Sequence, residues 1–594
     1  LELNFQILKN LKLSTRGSVF NNAHETRTAW DPGSYTGKLN NWLTGVYTEL
    51  PDALNRGALA EGNSRSSGWT WRNNLELRQA FKEKHFLSVY VGHEVSEYKS
   101  NSNYVKYPEY DPEKGLIGVP DIDGVEDVKK KILNLLDGLS ESRNRSVSFF
   151  VSGSYSFLDR YVVAGSIRMD GADIIGTANR FSPLWNASFK YNVYEEGFMK
   201  KISWLDELAF RLSYGYTGSI DKNALPFGVM TFMSTDEYFG YDIPTYIQPK
   251  NPSVKWQKKE DRSVGVDFAL LNRRIRGTVN YYNNVTRNLL DTKNLPISVG
   301  VSSIKYNSSS VRNYGWEFSM NSQVLRTKEL FWKVDFNVGM NRSKVIKTYY
   351  KDISEVPKGY DKTTPVEGAS TNAWFGYRFA GIDPRTGHTL AFVDNSKREE
   401  PIGFQREDGR WVLDMDDVVN KDRESIKENL GDSYPTVNGG FRTNLSWKDF
   451  TFDANFTFMV GHKITAAYYA TSAGGVVSAA SQNVLKKEAT RWRKPGDITD
   501  IPVYSSGGEY SSLNSEWYDL KLESGDFLKC TSISFGYRVP SKICQKFSLT
   551  SLRVNFNVRD VFTISGYSGL DPENFGGFSY PNSKKYMISL NIGI

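Results

Sequence analysis

The sequence has 594 residues, and its 74 Lys and Arg against 67 Asp and Glu give a formal net charge of +7 at pH 7. So small an excess, without a basic cluster, argues against a nucleic-acid-binding protein. The hydrophobic fraction is 39%, aromatic residues reach 14%, and no stretch approaches the ~20 continuous apolar residues of a membrane helix. These features exclude a helical membrane protein and leave a large β-barrel open, because its strands carry only a weak alternating signal.

The predicted elements are strands from the first residues to the last. The opening segment LELNFQILKNLKLSTRGSVF predicts two strands, and apolar residues alternate with polar ones in the later segments SVSFFVSGSYSF, FWKVDFNVGMN, FTFDANFTF, LRVNFNVRD and KYMISLNIGI. A period of two places each residue type on its own face of a strand. About 17 strands of this kind are predicted. Because the chain starts without Met or a leader and already within strands, we expect the beginning of a longer protein to be missing here.

The predicted connections alternate between short and long. Short polar turns are expected near Lys9, Lys82, Asp159, Arg273 and Lys448. Long loops are expected at residues 21–69, 96–144, 218–260, 286–310, 343–435, 463–525 and 560–583. A solvated sheet face in a soluble sandwich would also alternate, but loops this long are uncommon in compact soluble domains. The pattern predicts an all-β fold, a transmembrane antiparallel β-barrel in which residues 1–594 supply most of the strands, with the short turns on the periplasmic rim.

Two local features yield further predictions. The segment VEDVKKKILNLLDGL, from Val125, spaces its apolar residues helically and predicts a short surface helix in an outer loop. Cys530 is expected to face the barrel lumen, since Phe527 and Phe535 are assigned to the opposite, lipid-facing side of the same strand. Cys544 follows that strand in or beyond a periplasmic turn, so the two thiols should be too far apart for a disulfide.

Motifs of the common catalytic and metal-binding classes are absent. Two Cys and five scattered His offer no zinc-type spacing, and there is neither a GxxxxGK phosphate loop nor a GxSxG elbow. We therefore expect no catalytic residue, no metal site and no cofactor, and the protein is not expected to be an enzyme.

Several stretches, in order, resemble the SusC-type branch of TonB-dependent outer-membrane transporters. They include an Arg-x-Asp-Gly strand at Arg168, a Gly-x-x-Gly turn at Gly215, and an Asn-x-Gly-x-Glu strand at Asn313. AGIDPRTG, RWRKPGD and NVRDVFTISGYSGLDPE fit as well. Two departures stand out: Gln257 occupies a position where Glu is usual, and the chain ends in Ile594, whereas the family usually ends in an aromatic residue.

The resemblance implies a 22-stranded barrel in the bacterial outer membrane, filled by an N-terminal plug. The plug and the first strands are absent from this chain, so they are expected upstream or as a separate chain. The implied function is active import of large nutrients, oligosaccharides or peptides, energised by TonB through the plug and aided by a SusD-like surface lipoprotein. A passive porin, an adhesin and a barrel enzyme remain the alternatives.

Candidate surfaces follow from this arrangement. The closing strand should turn an apolar row to lipid: Tyr586, Ile588, Leu590, Ile592 and Ile594. Polar residues expected to face the lumen, where they contact solute, the plug or one another, are Arg168, Asp170, Arg553, Asn555 and Arg559. Aromatic residues of an outer loop that could stack on substrate, contact the lipoprotein lid or pack against other loops are Tyr238, Phe239, Tyr241 and Tyr246.

Overall fold

The structure is a computed structural model of the 594-residue chain. It describes all residues except 32–56, 112–114, 117–139, 174, 176–179, 220–227, 236–241, 249, 252–253, 296–297, 299–302, 356–364, 397, 417–422, 424, 467–485, 504–516 and 574–581. The helix expected from Val125 lies outside the described residues. Among the described residues, no helix combines the length and apolarity needed to cross a membrane.

Strands account for most of the described chain. In its first part they are Glu2–Leu8 (β1), Leu11–Trp30 (β2), Gly57–Phe81 (β3), His85–Asp111 (β4), Gly115–Leu116 (β5), Ser140–Phe157 (β6), Tyr161–Ala172 (β7), Phe181–Asn192 (β8), Leu205–Ser219 (β9), Val229–Thr235 (β10), Asp242–Gln248 (β11), Gln257–Leu270 (β12), Ile275–Asn294 (β13), Ser303–Arg326 (β14) and Leu330–Lys347 (β15).

The remaining strands include several short ones. They are Ala373–Gly376 (β16), Phe379–Ile382 (β17), Thr389–Phe392 (β18), Phe404–Gln405 (β19), Trp411–Asp414 (β20), Glu428–Asp432 (β21), Val437–Trp447 (β22), Phe450–Val460 (β23), Lys463–Thr465 (β24), Leu522–Ser524 (β25), Phe527–Arg538 (β26), Ser551–Ser565 (β27) and Lys585–Gly593 (β28). One α-helix, Ser541–Lys546, follows β26.

A single antiparallel sheet contains eighteen of the strands in the described part of the chain. Each long strand pairs with the long strands before and after it, from β1–β2 to β27–β28, and β5 contributes two residues beside β4. This sequential pairing agrees with the roughly 17 strands predicted from alternation. Long strands joined only to their chain neighbours produce the meander from which barrels are made.

The tight turns on one rim have an unusual backbone. Lys82, Leu158, Asn272 and Lys448 all have positive φ, between 49° and 57°, although none is glycine. Left-handed residues are characteristic of two-residue hairpin turns, because such turns match the right-handed twist of the flanking strands. The short turns were therefore predicted correctly from their length and polarity.

On the opposite rim the strands extend further than predicted. The predicted loop over residues 21–69 overlaps β2 as far as Trp30 and β3 from Gly57, and the loop over 96–144 overlaps β4 as far as Asp111. The loop over 286–310 is likewise taken up largely by β13 and β14. Large apolar residues are few and irregularly spaced in these strand ends, as in NNAHETRTAW, so the alternation that signals a strand disappears although pairing continues.

The sheet has one apolar and one polar face. In an antiparallel pair, directly opposite residues project to the same side. On one side Ile588 lies opposite Phe556, Phe556 opposite Phe535, and Phe535 opposite Phe452. On the other side Ser589 lies opposite Asn555. The apolar face continues across the whole sheet through exposed residues such as Val151, Ile167, Leu212, Trp316 and Met340.

A β-bulge in β26 overturns the predicted orientation of Cys530. Asn455 pairs with Ser532 whereas the next residue, Phe456, pairs with Cys530, so Thr531 is the extra residue. Since Asn455 and Phe456 are adjacent, Cys530 lies on the apolar face, and Phe527 lies on the polar face. The extra residue reverses the alternation beyond it.

The prediction that both thiols are free is confirmed: Cys530 and Cys544 are buried and form no disulfide.

Two long connections on the far rim form a folded unit, the loop unit, built from the described parts of residues 348–436 and 461–526. The Tyr377 N–H donates to the Trp517 carbonyl at 2.9 Å, and the Asp519 N–H donates to the Tyr377 carbonyl at 3.0 Å. A buried cluster joins both segments: Tyr377, Ala391, Val393, Leu413, Met415 and Tyr518. The loop unit therefore has its own small core.

Candidate functional site

The polar face carries ion pairs, some between neighbouring strands and some within one strand. Near the middle of the sheet, the Arg72 Nε donates to Glu94 Oε2 at 2.6 Å, and the Arg168 Nε donates to Asp170 Oδ1 at 2.6 Å. Arg168 also donates to Ser148 at 2.9 Å, and its guanidinium lies 5.6 Å from the Phe150 ring centre. The structure thus brings Arg168 and Asp170 together, in an orientation fixed by their neighbours.

The pattern repeats along the same face. Further pairs are Arg211–Asp267 at 2.8 Å, Lys333–Asp335 at 3.1 Å and Arg442–Asp453 at 2.6 Å. Paired charges are compatible with a hydrated surface. Each cationic side chain loses part of its hydration when it lies against the sheet, and its carboxylate partner offsets that loss. Such a surface presents hydrogen-bonding groups at fixed positions and gives a solute no strong net charge to bind.

The other three predicted polar candidates lie on β27, apart from Arg168 and Asp170, with strands β8 to β26 between the two sets. Arg553 lies directly opposite Asn591 on one side and Arg538 on the other, and Arg559 lies opposite Lys585 and Ser532. Asn555 lies between them on the same face. These residues share the polar face with Arg168 without forming one site with it.

A polar cluster that the sequence did not reveal lies at the far end of β26. The Lys529 side chain is only 6% exposed; its Nζ lies 2.6 Å from Glu573, 3.4 Å from Asp560 and 3.9 Å from Asp571. The bulge at Thr531 places Lys529 on the polar face. Through these ion pairs the segment after β27 is held against the sheet. The SGLDPE motif is the only sequence signal for the cluster.

The loop unit contains a cavity of about 710 Å³, bordered by Arg378, Phe392, Arg410, Trp411 and Glu428. The Arg410 guanidinium lies 4.5 Å from the Phe392 ring centre and donates two hydrogen bonds to Asp408, of 2.7 and 2.9 Å. These hydrogen bonds hold the pKa of Asp408 below its usual value. An aromatic ring beside a fixed cation can contact a sugar, a peptide or a protein surface.

A buried carboxylate, Asp383, stabilises a turn of the loop unit. Burial would raise the pKa of Asp383, but the backbone N–H of Arg385, 2.8 Å away, and the Arg385 guanidinium outweigh burial and leave the pKa below its usual value. Nearby, the Trp492 Nε1–H donates to the Pro384 carbonyl at 3.0 Å, which joins the two halves of the loop unit.

The remaining predicted residues are placed as follows. Tyr238, Phe239 and Tyr241 lie outside the described residues, and Tyr246 belongs to β11, where its side chain is not described. On β28 the apolar row is widely exposed, with fractions between 55% and 95%: Tyr586, Ile588, Leu590, Ile592 and Ile594. That this row faces lipid stays a prediction. Within the described residues, no group of three or more His, Cys, Asp or Glu side chains is arranged to hold a metal ion.

Comparison with known proteins identifies the family. Residues 2–457 match the model for the TonB dependent receptor-like β-barrel. Because the match covers most of the chain, the chain belongs to this family of β-barrels, and it is an outer-membrane protein.

Among the related sequences, the TonB-dependent receptor SusC of Bacteroides thetaiotaomicron is 25% identical over 473 residues, 76% of this chain and 44% of SusC. The TonB-dependent receptor P26 of Formosa agariphila is 23% identical over 594 residues, 95% of this chain and 57% of the receptor. The chain spans about half the length of the curated relatives it matches.

Among solved structures, the RagAB peptide transporter aligns over 100% of this chain and 61% of its own, with a TM-score of 0.76 and 23% identity. At this identity the likeness shows the fold. The named relatives are receptors and transporters, in agreement with the expectation that this protein is not an enzyme.

Proposed function

We propose that this chain forms the wall and most of the outer loops of a TonB-dependent importer of large nutrients, either oligosaccharides or peptides. The observation that carries the proposal is the two-faced sheet of a TonB-dependent receptor-like barrel. One face is a continuous apolar surface, and the other is a polar surface with paired charges, as at Arg168–Asp170. The apolar face meets lipid and the polar face lines a hydrated lumen.

Energy enters through a plug domain that is coupled to TonB. The polar residues of the lumen face, including Arg553, Asn555 and Arg559, contact that plug or the passing solute. Arg538 and Arg553 lie directly opposite each other, and like charges in such a position are destabilising. A carboxylate of the plug beside them would relieve this repulsion.

A SusD-like surface lipoprotein covers the outer rim. The loop unit supports this part of the proposal because its own hydrophobic core, centred on Tyr377 and Tyr518, gives it a defined surface that a partner protein can bind. The cavity beside Phe392 and Arg410 opens on this surface and would contact either the lipoprotein or the substrate.

The test is uptake in the native bacterium. A strain lacking the protein is complemented with the wild-type gene, and uptake of labelled oligosaccharides and labelled peptides is measured with and without a protonophore. We expect uptake of one of the two substrate classes, its loss with the protonophore or after deletion of TonB, and co-purification of a surface lipoprotein. Uptake that persists without TonB would instead establish the passive porin.

A further inference from the structure

The apolar face ends abruptly at the rim that carries the long loops. On β12, β14 and β15, the central apolar band ends at Val264, Trp316 and Met340, which are 48%, 54% and 49% exposed. Two residues further along the same face lie Arg262, Tyr314 and Arg342. A step of two residues is about 7 Å along a strand, the scale of the polar headgroup layer of a bilayer.

Above this border, four adjacent strands carry six basic residues on the same outward face. We call this set the outer basic surface: Lys258, Arg262, Arg287, Arg312, Arg342 and Lys344. The register fixes their common orientation, since Arg287 pairs with Lys258 and Arg312 pairs with Lys344, while Arg342 pairs with Tyr314. Three strand spacings make the surface about 14 Å wide.

Like charges directly opposite each other across a sheet are destabilising, and this surface contains two such pairs, Arg287–Lys258 and Arg312–Lys344. Glu260, which is buried, bonds Arg262 and lies 3.7 Å from Arg287. The Glu260 carboxylate therefore offsets positive charge only on the side of the surface formed by β12 and β13.

On the side formed by β14 and β15, the described residues place no carboxylate in an ion pair with the basic side chains. Arg312 donates to the neutral side chain of Asn283 at 2.8 Å. Arg342 and Lys344 are exposed and have no ion pair among the described residues. Beside them lies a cavity of about 410 Å³ whose lining includes a single carboxylate, Asp432. The polar face behaves differently, because there Lys259 and Lys333 each have an aspartate partner.

We propose that the outer basic surface binds the phosphorylated headgroup of a lipid in the membrane leaflet at the long-loop rim. The acyl chains lie against the apolar face beside Trp316 and Met340, and the phosphates lie among Arg312, Arg342 and Lys344. The external phosphates relieve the cross-strand repulsion. The proposal depends on the outer-membrane location and is independent of which nutrient the protein imports.

Lipid binding by the detergent-extracted full-length protein tests the proposal, with native mass spectrometry as the readout. The probes are lipid A carrying both phosphates and the same lipid after chemical removal of the phosphates. We expect the wild type to prefer the phosphorylated form. Near a membrane surface each Lys or Arg contributes enough that Arg342→Gln/Lys344→Gln should weaken binding about 10- to 30-fold.

The matched control removes two exposed lysines at the opposite rim, Lys542→Gln/Lys546→Gln, and should bind as the wild type does. The charge-conserving Arg342→Lys/Lys344→Arg should also retain the preference. A salt titration of the wild type gives a readout that needs no variant, because the preference should decline as ionic strength screens the charges. Equal binding of both lipid forms by the wild type, or less than a twofold loss in the glutamine variant, would overturn the proposal.

Discussion

The two faces of the sheet are made by the same strands, yet their charged side chains differ in how they are paired. On the polar face, many arginines and lysines have carboxylate partners, as in Arg72–Glu94 and Arg442–Asp453, although Arg538 lies opposite Arg553. Among the described residues, the apolar face has no such pairs in its central band, and at the border near the long loops it carries cations with few carboxylate partners, as at Arg342 and Lys344. The difference indicates that charge on the polar face is largely balanced by neighbouring side chains, whereas charge at the border of the apolar face is balanced from outside the protein.

The largest expected effect comes from placing a charge on the apolar face of the closing strand. Leu590→Arg should destabilise the folded barrel by about 2 to 4 kcal/mol if this position lies near the bilayer midplane. The free energy of unfolding from lipid vesicles in denaturant measures the loss. Ser589→Arg is the control, because its side chain projects from the polar face, and its effect should be much smaller. Equal losses at both positions would contradict the assignment of faces.

The paired charges of the polar face give a smaller effect. Glu94→Gln removes the carboxylate that accepts from Arg72 and lies 3.9 Å from Arg168, so we expect a loss of about 1 kcal/mol in unfolding free energy after allowing for the exposure of both arginines. Glu141→Gln is the control, since its pair with Lys99 is exposed and should contribute almost nothing. A Glu94→Gln protein as stable as the wild type would show that these charges are independent of one another.

The smallest expected effect is a local response to pH at the loop unit. Burial lowers the pKa of His462, although Asp526, 3.9 Å away, opposes this effect, and neither ring nitrogen has a hydrogen-bond partner. The unfolded segment therefore binds a proton more readily than the folded one, and stability falls as pH drops below about 6.5. The hydrogen-exchange protection factors of residues 461–465 and 522–526, in which the intrinsic pH dependence of exchange is divided out, should fall between pH 7 and 5.5. His462→Phe should abolish this fall, and a pH response that survives in the variant would assign it to another group.

The sequence predicted those parts of the fold that depend on short-range pattern. Strand alternation in segments such as FTFDANFTF and LRVNFNVRD, the short turn at Lys448 and the free thiols all follow from local spacing. The apolar faces of these segments match the observed register because a side-chain period of two is maintained along each strand.

Features that depend on contacts distant in sequence were not predicted. The bulge at Thr531 shifts the alternation by one residue, and no local signal in FLKCTSISFGYR marks it. The loop unit forms only when Tyr377 meets Tyr518, which is 141 positions later in the numbering. For the same reason the Lys529 cluster, which draws Asp571 and Glu573 from another segment, could not be found from composition or periodicity.

Spin labels on adjacent residues of β28 can determine which face of the sheet meets lipid and which face lines water. Ile588→Cys and Ser589→Cys are each made in a Cys530→Ala/Cys544→Ala background, labelled, and reconstituted in lipid vesicles. The label at 588 should collide with oxygen dissolved in the bilayer, whereas the label at 589 should collide with a water-soluble nickel chelate. The reverse pattern, or equal accessibility at the two positions, would contradict the assignment of the two faces.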